Sequence, residues 1–205
     1  GRGGSGGVVN RVSKIADDKQ RRRVVASGGS FNNRRIEADF GDKVSDKLSL
    51  RLNSMYEKSG TFRKYGDLER YGFNPTVTVK LDKNTDIKFG YEHFSDNRFN
   101  DRGIPSFNGA PYKISPTNSF FGNPNENEAI TKTNSEYATI THKFNPNLQL
   151  QNHTRYTQNS KFYQNTYASS SVDLAGNFKI AAYSSEQERN NFTNQTDLTQ
   201  KFEVG

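Results

Sequence analysis

A long polar loop, residues 96–132, carries side chains that could bind a ligand. Arginine and aromatic residues stand in it among asparagines, glycines and four of the chain's six prolines. Arginine offers charge-assisted hydrogen bonds to anionic groups, and aromatic rings pack on ligand faces. A loop of this length without regular structure is uncommon in a compact domain, and is usually functional or disordered. The residues that stand out are Phe99, Arg102, Phe107, Tyr112, Phe120 and Phe121.

The rest of the sequence contains no arrangement expected to perform catalysis or to hold a metal. Cysteine is absent, which excludes disulfides and thiolate metal ligands within these residues. The acidic residues occur as alternating residues of predicted strands, a pattern typical of a polar lumen. We therefore expect no enzyme, no catalytic residue and no metal site. The histidines fall on three predicted strands without the close pairing that a metal site needs: His93, His142 and His153.

The net charge of +7 comes from one end of the chain. Residues 1–35 hold nine lysines and arginines against two acids, whereas the remaining 170 residues balance at 20 against 20. Nucleic-acid binding needs a basic stripe on the folded domain, and this neutral body lacks one, so we expect no nucleic-acid partner. The arginine cluster 21–23 is expected to be solvated or interfacial, and ion pairs with inward-facing acids are expected rather than nucleic-acid contacts, namely with Glu37, Asp39 and Glu57.

Eight segments alternate apolar and polar residues with the period of a β-strand. In segment 47–58, for example, Leu48, Leu50 and Leu52 alternate with Ser49 and Arg51. Successive strand side chains point to opposite faces, so each segment has one apolar and one polar face. The predicted strands are 22–29, 33–41, 47–58, 67–81, 85–95, 133–145, 147–160 and 178–202.

Composition and connection lengths favour a membrane β-barrel over a soluble domain. Hydrophobic residues make up only 31% of the chain while aromatic residues reach 12%, which fits strands with one apolar and one wet face. The longest apolar runs, such as 180–183, are far shorter than the roughly 20 residues of a membrane-spanning helix. Tight turns alternate with long loops, and aromatic residues lie near strand ends, as in outer-membrane barrels. The strands of a soluble β-sandwich also alternate apolar and polar residues, and this is the main alternative fold.

Several segments resemble TonB-dependent siderophore receptors. GRGGSGGVVNRVSK at 1–14 looks like the glycine-rich stretch and strand that close the plug domain of that family. The resemblance covers essentially the whole chain and looks closest to the branch that takes catecholate-type ferric siderophores. Its later landmarks follow in the same order: GSF at 29–31, LRLNSMYEKSGTFR at 50–63, ERYGFNPTVTVKLDKNTDIKFGYEH at 69–93 and DRGIPSFNG at 101–109.

The resemblance implies an all-β fold. The expected structure is a partial antiparallel transmembrane β-barrel, about eight strands of a larger plugged barrel of about 22 strands, preceded by the last strand of the plug domain. Residues 1–18 would then be the C-terminal end of the plug domain, and residues 19–205 the N-terminal part of the barrel domain. We expect the chain to be an internal fragment of such a receptor.

The resemblance also implies a function at the outer membrane of a Gram-negative bacterium. The receptor would bind a ferric siderophore at its extracellular face and import it with energy from the TonB complex, which acts through an N-terminal part absent from this sequence. Iron would arrive as the siderophore chelate, so no resident cofactor is expected, and outer-membrane lipid would surround the barrel. An open porin and a soluble adhesion or carbohydrate-binding β-sandwich are the alternative functions.

In that family the segment matching NRFNDRGIPSF lies near the binding cavity. The resemblance therefore selects the ligand-contact candidates within the loop. The other interpretation is that these aromatic residues pack the loop on itself or on neighbouring loops. The candidates are Phe99, Arg102, Phe107 and Tyr112, with Arg98 as a further one.

Overall fold

The computed structural model describes residues 6–7, 12–113 and 116–202, and within them every regular element is a β-strand. Eight long strands form one sheet in chain order, each antiparallel to its neighbours. The described part of the chain has no helix that is long and apolar enough to cross a membrane. The strands are β1 Arg21–Gly29, β2 Asn33–Ser45, β3 Leu48–Gly60, β4 Asp67–Lys80, β5 Thr85–Phe99, β8 Glu128–Asn145, β9 Leu148–Ala168 and β10 Ile180–Gln200.

The eight predicted strands are confirmed, but the boundaries of the long loop were wrong. Strand β5 continues to Phe99 and β8 begins at Glu128, and these two residues pair across the ladder. The loop is therefore 100–127, and it contains a small hairpin, β6 Ser106–Phe107 and β7 Ala110–Pro111. Backbone pairing extends here into polar sequence, where apolar alternation no longer signals a strand. Strand β9 likewise continues to Ala168, beyond the predicted end at 160.

The two faces of the sheet differ in chemistry, as the alternation predicts. One face carries polar side chains such as Ser49, which is 2% exposed, and Thr78, which is 6% exposed. The opposite face carries large apolar side chains that remain exposed, for example Leu50 and Phe89. Among the described residues only Ala16, Tyr137 and Val172 are buried hydrophobics, so the sheet has no packed apolar core of its own. An apolar face of this extent is what lipid would cover in a barrel wall.

Connections at the two ends of the sheet differ in length. Residues 46–47, 81–84 and 146–147 make tight turns at one end, whereas the longer loops 61–66, 100–127 and 169–179 lie at the other, together with one short connection, 30–32. Side chains cap the tight turns: Asn145 Oδ1 accepts the backbone N–H groups of Asn147 and Leu148, both at 2.9 Å. Asp82 Oδ1 does the same for Asn84 at 2.7 Å and Thr85 at 2.9 Å. These Asx-type turns set the register of the hairpins that follow.

Proline in the middle of the sheet needs a local substitute for its missing N–H. Pro75 lies in β4 between two neighbouring strands, where proline is normally avoided because it cannot donate to the ladder. The β4–β5 pairing is interrupted between the pairs Phe73–His93 and Thr76–Gly90. In that gap the side chain of Asn74 donates from Nδ2 to the carbonyl oxygen of Tyr91 at 2.7 Å. The side-chain amide thus supplies the hydrogen bond that the proline cannot.

Replacing Asn74 with alanine should destabilise the folded full-length protein. The carbonyl of Tyr91 would lose its donor in the barrel wall, and an unsatisfied group of this kind costs about 1–3 kcal/mol. Urea unfolding in detergent, followed by the gel mobility shift between folded and unfolded barrel, would measure the loss. Adding Pro75→Val to Asn74→Ala restores a backbone N–H and should recover most of the stability. A double variant as unstable as the single one would contradict this account.

Candidate functional site

Three loops at the same end of the sheet interlock above its polar face. We call loops 61–66, 100–127 and 169–179 together the loop cap. Lys64 N donates to Asn118 O at 2.8 Å, which joins the first loop to the second. Val172 N donates to Ser106 O at 2.8 Å, which joins the third loop to the second, and the Val172 side chain is buried there. The loop predicted to bind a ligand is therefore held on both sides by protein contacts.

Two asparagines hold the ends of loop 100–127 on the sheet. Asn100 Nδ2 donates to Glu128 O at 2.6 Å and to Gln164 O at 3.1 Å. Asn127 Nδ2 donates to Asn100 O at 3.1 Å and to Thr166 O at 2.9 Å, while Thr166 N donates to Asn127 Oδ1 at 2.8 Å. These bonds continue the β8–β9 ladder beyond its last backbone pair, so both loop ends begin from fixed points.

An arginine that the sequence did not single out joins two parts of this loop. Arg63 Nε lies 2.6 Å from Asp101 Oδ2, near the start of loop 100–127. Its Nη1 donates to Thr117 O at 2.5 Å and to Ser119 O at 3.1 Å, in the second half of the loop. Nothing in the spacing of the sequence links Arg63 to these residues, because the contact depends on how two loops meet in space.

The five predicted ligand residues have different protein neighbours. Phe99 ends β5, and its ring contacts that of Phe120 edge-on at 4.6 Å between centroids. Arg98 lies within β5, and its Nη2 is 2.5 Å from Asp96 Oδ2. Both residues belong to the strand rather than to the loop, which corrects their predicted setting because β5 is longer than its apolar pattern indicates. Their role in ligand binding stays a prediction.

The other three candidates lie in the loop cap itself. Phe107 and Tyr112 face each other across the β6–β7 hairpin, with ring centroids 6.2 Å apart. The guanidinium of Arg102 lies over the ring of Tyr167, 4.2 Å from its centroid. The pKa of Arg102 is raised, chiefly by a hydrogen bond to the hydroxyl of Tyr163. These side chains contact loop and strand neighbours, and their ligand contacts stay a prediction.

The polar face below the cap is lined by charges that neutralise one another. Glu57 accepts hydrogen bonds from Arg35 Nη1 at 2.6 Å, from Arg70 Nη2 at 2.8 Å and from Asn33 Nδ2 at 3.2 Å. Its side chain is only 9% exposed, so these partners offset the cost of removing a carboxylate from water. The acids of this face occur in ion pairs on strands, in agreement with the predicted polar lumen.

The segment before β1 runs along this polar face. Lys14 Nζ lies 3.0 Å from Asp39 Oδ2, and Thr78 Oγ1 donates to Ala16 O at 2.7 Å. Asp18 accepts from Ser49 Oγ at 3.0 Å and pairs with Lys80 Nζ at 2.5 Å. The predicted division at residue 18 stays a prediction, and much of the glycine-rich stretch that suggested it lies outside the described residues.

The expected partners of the arginine cluster 21–23 were wrong for two of its members. Arg21 pairs with Asp17 in the preceding segment, and Arg22 Nη2 lies 2.5 Å from Asp42 on β2. Glu37 and Asp39 pair instead with Arg35 and with Arg51, respectively, and Asp39 also with Lys14. The ion pair from the segment before β1 to Asp39 is thus made by Lys14, while Arg21 and Arg22 pair with other acids.

The comparisons with known proteins agree with this architecture. No family model matches the chain. The metal-pseudopaline receptor CntO of Pseudomonas aeruginosa is 29% identical over 180 residues, covering 85% of this chain and 24% of the relative. The catecholate siderophore receptor Fiu of Escherichia coli K12 is 26% identical over 229 residues, covering 100% of this chain and 30% of the relative. The chain therefore spans about a quarter to a third of the curated relatives it matches.

Solved structures give the same picture of the fold. The closed form of the ferric-catecholate import receptor Fiu from E. coli matches with a TM-score of 0.82 at 24% identity, over 94% of this chain and 30% of the receptor. The siderophore receptor PiuA of Acinetobacter baumannii matches with a TM-score of 0.82 at 20% identity, over 94% of this chain and 29% of the receptor. The sheet is therefore the wall of a partial antiparallel β-barrel.

The chain is homologous to a part of TonB-dependent siderophore receptors, and the resemblance noted in its sequence is confirmed. Its relatives are outer-membrane receptors of Gram-negative bacteria, in agreement with the location expected from the sequence. These relatives are transport receptors rather than enzymes.

The Asp18 pairing predicts a pH-dependent effect of Asp18→Asn. Hydrogen bonds from Lys80 first and then from Ser49 hold the pKa of Asp18 below its ordinary value. A depressed pKa stabilises the fold above the unfolded carboxyl pKa of about 3.9, and the contribution is lost as pH falls through the folded pKa. At pH 7 the variant should unfold at lower urea than wild type, and the difference should shrink below about pH 4. A difference that stays constant between pH 7 and pH 3 would exclude the carboxylate as its cause.

Proposed function

We propose that the whole protein containing this chain is an outer-membrane receptor that binds a ferric siderophore at its extracellular face and imports it with TonB-coupled energy. The observation that carries this proposal is a tied loop cap above a charge-paired polar wall, in a chain similar along its length to siderophore receptors. Loops 61–66, 100–127 and 169–179 would face outward, because long loops of such barrels are extracellular and short turns periplasmic.

The ligand class follows from what its relatives take and from the residues in the cap. Relatives and fold neighbours are named for catecholate siderophores, for metal-pseudopaline and for ferripyoverdine. These are metal chelates of different chemistry, so the cap of this chain has to select among them. A cap with a guanidinium at Arg102 and facing rings at Phe107 and Tyr112 suits a compact, anionic, partly aromatic chelate. Iron is cargo in this proposal, and no resident cofactor is required.

The alternatives fit the arrangement less well. A soluble adhesion or carbohydrate-binding sandwich would bury the apolar face of its sheet, whereas here Leu50 and Phe89 are exposed. An open porin would leave the polar face free, whereas residues 14–18 are bonded along it. No described residue is assigned to the coupling with TonB.

Growth of a receptor-deletion strain under iron limitation tests the proposal. The strain should carry the full-length gene or an empty vector, and each culture should receive one purified ferric siderophore, with catecholate, hydroxamate and mixed chelates represented. We expect receptor-dependent growth with at least one ferric siderophore, and loss of that growth when TonB is deleted. Growth that never depends on the receptor would overturn the siderophore assignment. Growth that depends on the receptor but not on TonB would instead favour a porin.

Replacing Arg102 with glutamine should weaken capture of whichever ferric siderophore supports growth. A charge-assisted hydrogen bond to the ligand is worth about 1.5–3 kcal/mol, so half-saturation of binding should rise at least about 10-fold. Binding of the radiolabelled ferric siderophore to whole cells would measure it. Lys113→Gln, which removes an exposed charge from the same loop, is the matched control and should bind like wild type. Equal affinity of wild type, Arg102→Gln and Lys113→Gln would show that Arg102 does not contact the ligand.

A further inference from the structure

Arg63 stands between the two limbs of loop 100–127. The first limb presents the carboxylate of Asp101 to Arg63 Nε at 2.6 Å. The second limb presents the carbonyl oxygens of Thr117 and Ser119 to Nη1, at 2.5 Å and 3.1 Å. Arg63 itself belongs to the neighbouring loop 61–66, so one guanidinium joins three chain segments. The fork geometry of arginine is suited to several partners at once, which a lysine ammonium on a flexible stem matches less well.

The charge of Arg63 is already used within the protein. Its side chain is only 13% exposed, and the Asp101 side chain is 21% exposed. The guanidinium also lies 4.9 Å from the ring centroid of the adjacent Phe62. With so little of its side chain exposed, and a carboxylate and two carbonyls around it, Arg63 is poorly placed to contact an anionic ligand. Its effect on ligand binding would therefore act through the residues it holds in place.

On the first limb, Arg63 reaches the candidate ligand residue Arg102 through Asp101. While Asp101 Oδ2 faces Arg63, its Oδ1 accepts the backbone N–H of Gly103 at 2.8 Å. Gly103 has a φ of 89°, in the region that glycine adopts without strain, so this is a tight local turn. Arg102 is the residue between the two, and the turn directs its guanidinium onto the ring of Tyr167. Fixing Asp101 therefore fixes the direction of Arg102.

On the second limb, Arg63 holds the backbone beside the largest aromatic cluster of the cap. Ser119, whose carbonyl it binds, immediately precedes Phe120. The ring of Phe120 contacts Phe99 at 4.6 Å and Tyr65 at 6.1 Å between centroids. A shift of this limb would separate the rings, because the backbone at 117–119 sets the position of Phe120.

We propose that Arg63 is a positioning residue for ligand capture, which ties the two limbs of loop 100–127 so that Arg102 and the Phe99–Phe120 pair face the ligand together. It does not contact the ligand. The inference deepens the proposed siderophore-binding function and rests on it. Loop 61–66 would thus act on specificity through loop 100–127.

The first test measures the loop directly, without any ligand. Amide hydrogen exchange of the purified full-length receptor in detergent should be faster in Arg63→Gln than in wild type at residues 101–103 and 117–121. The matched control is Lys64→Gln, which removes the neighbouring charge, since Lys64 is joined to Asn118 through its backbone N–H rather than its side chain. The control should exchange like wild type. Unchanged exchange in Arg63→Gln would overturn the proposal, whatever the ligand is.

The second test asks whether the positioning serves the ligand. For the ferric siderophore that supports growth, Arg63→Gln should raise half-saturation of binding about 10-fold, while maximal binding stays unchanged. The charge-swapped pair Arg63→Asp with Asp101→Arg should recover part of both the affinity and the exchange protection, which simple loss of folding would not allow. Faster exchange with unchanged affinity would overturn the positioning role. Failure of every ferric siderophore to bind wild type would count against the proposed function itself, and the exchange result would still decide whether Arg63 ties the loop.

Discussion

The sheet has to satisfy its own backbone hydrogen bonds, because its apolar face offers no polar partner to replace one. Lipid cannot form hydrogen bonds with an unpaired N–H or C=O. Every interruption of the backbone pairing in a barrel therefore needs a substitute hydrogen-bond partner nearby. At Pro75, in the middle of the wall, the side-chain amide of Asn74 is that substitute and donates to Tyr91 O. At the rim, the side-chain amides of Asn100 and Asn127 donate to backbone carbonyls and extend the β8–β9 ladder. Asparagine serves in both places because its short side chain carries both a donor and an acceptor.

The polar face follows a second constraint, which is charge balance within a confined space. Glu57 lies among Arg35 and Arg70, and Asp39 lies between Arg51 and Lys14. Paired in this way, the wall presents hydrogen-bonding groups without a strong net charge of either sign. A ligand entering such a lumen would meet individual hydrogen-bonding groups rather than a strong electrostatic potential of one sign. Selectivity would then depend on the loop cap, where the side chains differ from the repeating pattern of the wall.

The sequence predicted the strands of the wall well, because the alternation of apolar and polar residues determines which face of the sheet each side chain occupies. Leu50 and Arg51 had to point to opposite sides of any strand that contains them, and the structure places them so. It predicted the strand ends poorly beyond residue 95 and before residue 133. There the strands leave the apolar band, and backbone pairing such as Phe99 with Glu128 no longer depends on apolar side chains.

The sequence predicted which residues lie in the long loop of the cap, but not which contacts they make. Composition pointed to Arg102, Phe107 and Tyr112, yet it could not place Arg102 over Tyr167 or tie Arg63 to Asp101. Such contacts join residues far apart in the chain through loops that follow no periodic rule. The same limit explains the arginine cluster, since Arg22 pairs with Asp42 on the adjacent strand and not with the acids of the polar face.

The capped tight turns also bear on how such a wall is assembled. Asn145 and Asp82 each hold two backbone N–H groups within a few residues of themselves, so these hairpin ends can form before any distant contact exists. Strand pairing that starts at the turns closes short loops first and costs the least chain entropy. Until lipid covers residues such as Phe89, however, each new hairpin adds exposed apolar surface. Assembly that outruns insertion would therefore favour aggregation, so biogenesis depends on coupling hairpin formation to arrival at the membrane.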